Sequence, residues 1–117
     1  MHELAVAAAL VRSLSDYRAV HKVRIKAARV RIGRLSGIDP EALRFAWEPA
    51  VAGAPEAGLA DCRLELVLAA LHHRCGECGF EADLPEWTNV CPQCGRETFR
   101  RVGGAEFLLE SIEAENV

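Results

Sequence analysis

The chain has no excess of basic residues: 14 Lys and Arg stand against 17 Asp and Glu, for a formal net charge of −3. Duplex binding rests on neutralising phosphates, and anionic membranes attract polybasic clusters, so this balance argues against both kinds of partner. Long apolar runs are missing too. The longest, Leu4–Val11 and Val67–Leu71, fall far short of the ~20 residues that a membrane-spanning helix needs. No basic segment followed by an apolar stretch opens the sequence, so no secretory signal is expected, and the cytoplasm is the expected compartment. There is no internal repeat and no low-complexity tract. No Gly-x-x-x-x-Gly-Lys-Ser/Thr run is present to cradle nucleotide phosphates. Nor is there a nucleophile–base pair at a recognisable spacing, which argues against an enzyme.

What remains is 117 residues, half of them apolar and 26% charged, the length and composition of one ordinary domain. Residues 4–20 read as an amphipathic helix, with Leu4, Ala8, Val11 and Leu14 at three- and four-residue steps and Leu10 and Tyr17 widening the stripe. From Val23 to Ile32 the pattern alternates. Its parity slips near Ala27–Ala28, the signature of a bulge or a strand that begins late. Asp39-Pro40 opens a second helix, with Asp as N-cap and Pro at the first helical position. Leu43, Ala46, Trp47 and Ala50 line its apolar face, and Pro49 is expected to kink or end it. Residues 53–60 read as a loop. A strand with Cys62, Leu64, Leu66 and Leu68 on one parity follows, and a last strand is expected over Ala105–Glu113. Cys62, on the apolar parity, reads as a small buried hydrophobe. His21 reads as a surface or helix-end residue.

Four of the five cysteines form two pairs, Cys75-Gly-Glu-Cys78 and Cys91-Pro-Gln-Cys94, with twelve residues between them. In a reducing compartment such pairs are metal ligands more often than disulfides. Two Cys-x-x-Cys knuckles can surround one ion with four thiolates at about 2.3 Å, and a closed four-sulfur set with no open position suits structural zinc, with rubredoxin-like iron as the rival. Gly79 and Gly95 follow each pair and allow the positive φ that a tight knuckle requires. The stretch Phe80–Val90 has room for a short hairpin. The expected architecture is α+β: a small mixed sheet with two helices, residues 1–71 and 105–117, plus an inserted four-cysteine zinc-ribbon lobe, residues 72–104. His72 and His73 precede the first knuckle and could tune the metal or sense pH, although a solvated strand end is the plainer expectation.

The first residues carry a second metal signal. His is too bulky for removal of the preceding Met, so Met1 should stay. Its amine, the His2 amide nitrogen and the His2 imidazole could then chelate one ion, with the Glu3 carboxylate beside them. A planar, nitrogen-rich set suits Ni(II) or Cu(II). Against this stands an ordinary frayed terminus, with Glu3 merely favouring the first helical turn.

Met1-His2-Glu3, a strand ending Val30-Arg31-Ile32-Gly33, the segment Ile38-Asp39-Pro40-Glu41-Ala42-Leu43-Arg44-Phe45-Ala46, and a four-cysteine insert closing on Ile112-Glu113 together resemble the HypA/HybF family of hydrogenase maturation proteins. The likeness covers essentially the whole chain. It implies a nickel metallochaperone that takes up Ni(II) at its N-terminus through His2 and Glu3, with structural zinc on Cys75, Cys78, Cys91 and Cys94. It also implies delivery of the nickel for maturation of a NiFe hydrogenase. The implied partners are a HypB-type GTPase and the hydrogenase large-subunit precursor, the chain itself being a monomer or weak homodimer. Asp39 matches an acidic residue that approaches nickel in some relatives, whereas its local sequence points to helix capping. Some relatives carry histidines just after the cysteine pairs. Here Phe80, Glu81 and Arg96 stand in that neighbourhood, so exchange of histidine onto zinc is not expected. The competing function class is a zinc-ribbon protein-interaction module without nickel.

Overall fold

The structure, a computed structural model, describes residues 3–117. Two helices and a mixed three-stranded sheet form one part, and a four-cysteine segment with its own sheet is inserted before the last strand. This is the α+β architecture expected.

Helix α1 (Glu3–His21) turns into strand β1 (Val23–Gly33) through Lys22, whose left-handed φ of 53° ends the helix. Helix α2 (Pro40–Ala52) and a 3-10 turn (Pro55–Ala57) lead to β2 (Arg63–Ala69). Three short strands follow: β3 (Leu71–Cys75), β4 (Glu81–Leu84) and β5 (Phe99–Arg101). Strand β6 (Phe107–Asn116) closes the chain, beginning two residues later and ending three residues beyond the expected span.

The first sheet has the order β2-β1-β6. The crossover through α2 makes β1 and β2 parallel, as connections of this length do, while β6 returns antiparallel on the other side of β1. The parity slip has a definite cause. Ile25 faces Ala114 and Ala27 faces Glu113, so Lys26 is an extra residue in β1. Ile25 therefore points into the core, as do Ala28, Val30 and Ile32, while Ala27 is buried on the opposite face beneath Arg29, Glu65 and Glu113. A second irregularity leaves Glu110 unopposed in β6. The outer face carries ion pairs, among them Arg31–Glu110 at 2.8 Å, Arg63–Glu113 at 3.3 Å and Arg24–Glu115. Exposed pairs of this kind are screened by water and contribute little.

The core lies between this sheet and the helices, with Ala7, Leu10, Leu14, Val30, Leu43, Trp47 and Leu59 among its buried members. The buried stripe of α1 is Ala7, Leu10, Val11 and Leu14, rotated from the expected one, and Leu4 and Tyr17 are exposed. The small Ala7 sits fully buried where α1 packs on α2. Helix α2 runs one turn past Pro49 instead of ending there, with the Pro49 carbonyl accepting the Gly53 amide at 2.9 Å. Leu64 and Leu66 of β2 pack on the core as expected. Leu68, on the same parity, is 62% exposed and lines an open cleft.

The second sheet has the order β4-β3-β5, all antiparallel. Residues 80–90 hold one strand, β4, paired back onto β3, in place of the internal hairpin expected there. The first cysteine knuckle is itself the hairpin turn, since the Cys75 amide donates to Phe80 O at 2.9 Å. The two parts meet where β1 ends. The Leu35 amide donates to Gly104 O at 2.8 Å and the Gly33 amide to Glu106 O at 2.7 Å. A Cβ on Gly33 would lie 2.2 Å from Gly104 O, so only glycine allows this approach of two backbones.

Candidate metal centres

The four cysteine sulfurs of Cys75, Cys78, Cys91 and Cys94 all lie within 4.8 Å of one another. Each pair sits on the same kind of knuckle. The Gly79 amide donates to Cys75 O at 3.1 Å and the Gly95 amide to Cys91 O at 2.8 Å, and both glycines have a φ of 77°. Expectation and conformation agree at these two glycines. Sulfur separations across the knuckles are 3.7 Å for Cys75–Cys94 and 3.6 Å for Cys78–Cys91. Four thiolates around an ion at about 2.3 Å have a tetrahedral edge of about 3.8 Å, which these two separations match.

The electrostatics favour a thiolate. Cys75 Sγ accepts the amides of Glu77 and Cys78, each at 3.4 Å, and lies 3.2 Å from the Thr98 hydroxyl. The Cys78 amide first, then the Thr98 hydroxyl, pull the Cys75 thiol down to about 6. Hydrogen bonds to the charged form have this effect. Thr98 was not singled out from the sequence; its place immediately before the buried Phe99 of β5 is the one signal that pointed at it. Cys75 and Cys91 are buried, whereas Cys78 and Cys94 are exposed at the rim.

The neighbouring histidines part company. His73 is fully buried, contrary to the solvated strand end expected, because strand alternation turns it inward with Leu71 and Cys75. Its Nδ1 donates to Leu71 O at 3.0 Å, its Nε2 accepts the Thr88 amide at 3.4 Å, and its ring stacks on Phe99. Both ring nitrogens are used, so His73 shapes the lobe and is not free to ligate. His72 faces outward. Its Nδ1 lies 2.6 Å from Asp83 and its Nε2 3.0 Å from Glu81, and the hydrogen bond to Glu81 first, then that to Asp83, raises its pKa.

At the other metal candidate, Met1 and His2 lie outside the described residues. Glu3 opens α1, and its Oε2 accepts the Asp39 amide at 3.1 Å. Asp39 caps α2, its Oδ1 accepting the Glu41 amide at 3.0 Å. The contact brings the two helix starts together although their residues are 36 apart in sequence. Cys62 is buried beside Arg63, and burial pushes its thiol up to about 11, as expected of a core residue. His21 is exposed in the last turn of α1 and packs against Tyr17.

Residues 1–114 match a family described as hydrogenase/urease nickel incorporation, metallochaperone, HypA. The hydrogenase maturation factor HypA of Chlorobium luteolum is 38% identical over 113 residues, 96% of this chain and 94% of that protein. That of Dechloromonas aromatica is 31% identical over 116 residues, 98% and 100% of the two chains. Among solved structures, the solution structure of the nickel metallochaperone HypA from Helicobacter pylori shares the fold, with a TM-score of 0.65, 22% identity and full coverage of both chains. A second HypA solution structure has a TM-score of 0.69 at 23% identity, covering 97% of this chain and 95% of the other. The chain therefore belongs to the HypA family of hydrogenase and urease nickel-incorporation metallochaperones, proteins that carry a metal and do not catalyse a reaction.

Proposed function

We propose that this chain binds Ni(II) at its N-terminus through His2 and Glu3 and delivers it for maturation of a NiFe hydrogenase, while zinc on Cys75, Cys78, Cys91 and Cys94 holds the inserted lobe. In this reading residues 1–71 and 105–117 are the nickel-binding domain and residues 72–104 the zinc-binding domain. The observation that carries it is the Glu3–Asp39 contact. It gives Glu3 a fixed neighbour, with a second carboxylate, that of Asp39, one residue from the cleft-lining Pro40. Glu3 Oε2 accepts the Asp39 amide, and a carboxylate that accepts one N–H can still ligate an ion; in this reading it assists the nitrogen donors of residues 1 and 2.

Zinc supplies cross-linking alone in the lobe, since four thiolates leave it no open position. The partners are a HypB-type GTPase and the hydrogenase large-subunit precursor, the compartment is the cytoplasm, and the chain works as a monomer or weak homodimer. Among the described residues no helix is long and apolar enough to cross a membrane.

Calorimetric nickel titration of untagged, zinc-loaded protein tests the reading. His2→Ala, or a few residues added before Met1, should abolish tight binding, and Glu3→Gln should do less. Equal affinity in wild type, His2→Ala and the extended form would leave a zinc-ribbon module with no nickel site at its terminus. For delivery, transfer to the purified GTPase should persist in the presence of a chelator that captures free nickel.

A further inference from the structure

A cleft of about 480 Å³ lies between the two parts of the molecule. Its walls include Ile38, Pro40, Leu68 and Pro85, with Arg34 and Asp83 as its charged members. Leu68 belongs to the core-facing parity of β2 but stands 62% exposed, because the helices that cover Leu64 and Leu66 do not reach it. Strand β2 also forms one edge of its sheet, paired among the described residues with β1 alone. An edge strand presents backbone donors and acceptors to any extended chain that comes alongside. The cleft wall thus continues into an unpaired strand edge through Leu68 and Ala69.

Charge selects the occupant. Asp83 is engaged with His72 at 2.6 Å. Arg34 is exposed and makes no ion pair among the described residues, whereas the Asp83 carboxylate is occupied by His72, so Arg34 is the cleft charge open to an incoming group. Position adds a purpose. Pro40 lines the cleft, and the preceding residue, Asp39, is the one held by Glu3. A segment lying in the cleft comes near Glu3.

We propose that this cleft and the β2 edge form the docking site for an extended acidic–apolar segment of the protein that receives the metal. An apolar side chain sits on Leu68, Ile38 and Pro85, and a carboxylate meets Arg34. The identification of the occupant as the nickel acceptor rests on the chaperone reading, whereas the docking itself needs no nickel.

The test uses full-length, zinc-loaded, nickel-free protein and two fluorescent synthetic peptides, one alternating Val and Glu and one alternating Val and Lys, read by anisotropy. The Val/Glu peptide should bind and the Val/Lys peptide should not. Arg34→Glu should weaken the first by about tenfold or more and create binding of the second, as reversing a rim charge reverses complementarity. Leu68→Glu, at an exposed position that tolerates charge, should abolish binding of the Val/Glu peptide. Phe45→Glu, on the exposed face of α2, should change neither. Amide exchange in residues 63–69 should slow on binding. Failure of the Val/Glu peptide to bind, unchanged preference in Arg34→Glu, or equal loss in Phe45→Glu would overturn the proposal. So would a concentration-dependent dimer that Leu68→Glu disperses, since a second copy would then be the occupant. A negative peptide result leaves the nickel titration untouched, and a negative nickel titration leaves peptide docking untouched.

Discussion

The helix-bearing part and the cysteine lobe hold themselves together by different means. Among the described residues, fourteen buried ones from the two helices, β1 and the segments on either side of α2 make one core in the first part. In the lobe the buried apolar cluster is Phe99 with two of the cysteines, flanked by Phe80, Ala82 and Leu84. Burial contributes about 25 cal/mol per Å² of apolar surface, so a cluster this small cannot offset the entropy of ordering some thirty residues. The lobe must draw on its metal, and the helix-bearing part need not. In the proposed function that division would let cargo come and go at the N-terminus while a separate ion keeps the lobe in shape.

The largest expected effect comes from breaking the lobe. Cys91→Ser removes one buried ligand, and metal binding energy in such sites is folding energy on the order of 10 kcal/mol. The lobe should lose its dispersed amide spectrum and its metal, while signals of Ala7, Leu14 and Val30 keep native shifts. Loss of both sets together would show one cooperative unit. Leu43→Ala attacks the other side. Leu43 is fully buried, and such truncations cost about 2–5 kcal/mol. Thermal unfolding should fall accordingly with no change in cysteine-bound metal.

A smaller effect is expected at the seam near the chain start. Asp39→Ala removes the α2 cap, which should cost about 0.5–2 kcal/mol in denaturant unfolding, with Asp39→Asn recovering most of it. If the Asp39 carboxylate also serves nickel, Asp39→Asn restores stability but not affinity.

The smallest effect is pH dependence at His72. Its pKa is raised above the ordinary 6.5 by hydrogen bonds to Glu81 and then Asp83. The folded form binds the proton more tightly than the unfolded one. The contribution is therefore fully present below the ordinary value and disappears as pH rises through the raised value. An imidazole titration followed by NMR should show the upward shift in wild type, and Glu81→Gln should reduce it.

The sequence was most legible where one local rule sufficed. Asp39-Pro40 announced a helix start, the two Cys-x-x-Cys-Gly runs announced knuckles with positive φ, and the parity slip near Ala27–Ala28 announced either a bulge or a late strand start, of which the structure has the bulge, at Lys26. Where two elements compete for a residue, local pattern was not enough. Leu4, Ala8 and Leu68 fit their stripes, but which face is covered depends on where α2 and the sheet lie, and Leu4 and Leu68 end exposed. His73 looked like part of a polar strand end. Its burial follows from pairing of β3 with both β4 and β5, a long-range fact. The contact between Glu3 and Asp39 was invisible for the same reason, since it depends on how α1 packs against α2.

The central claim is that cargo and structural metal occupy separate sites on separate parts of the chain. The most direct measurement is a metal count on untagged protein purified after nickel exposure, in wild type, His2→Ala and Cys91→Ser. Wild type should hold about one zinc and one nickel per chain, His2→Ala about one zinc and no nickel, and Cys91→Ser nickel with little zinc. Nickel that disappears with Cys91 and survives in His2→Ala would contradict the claim.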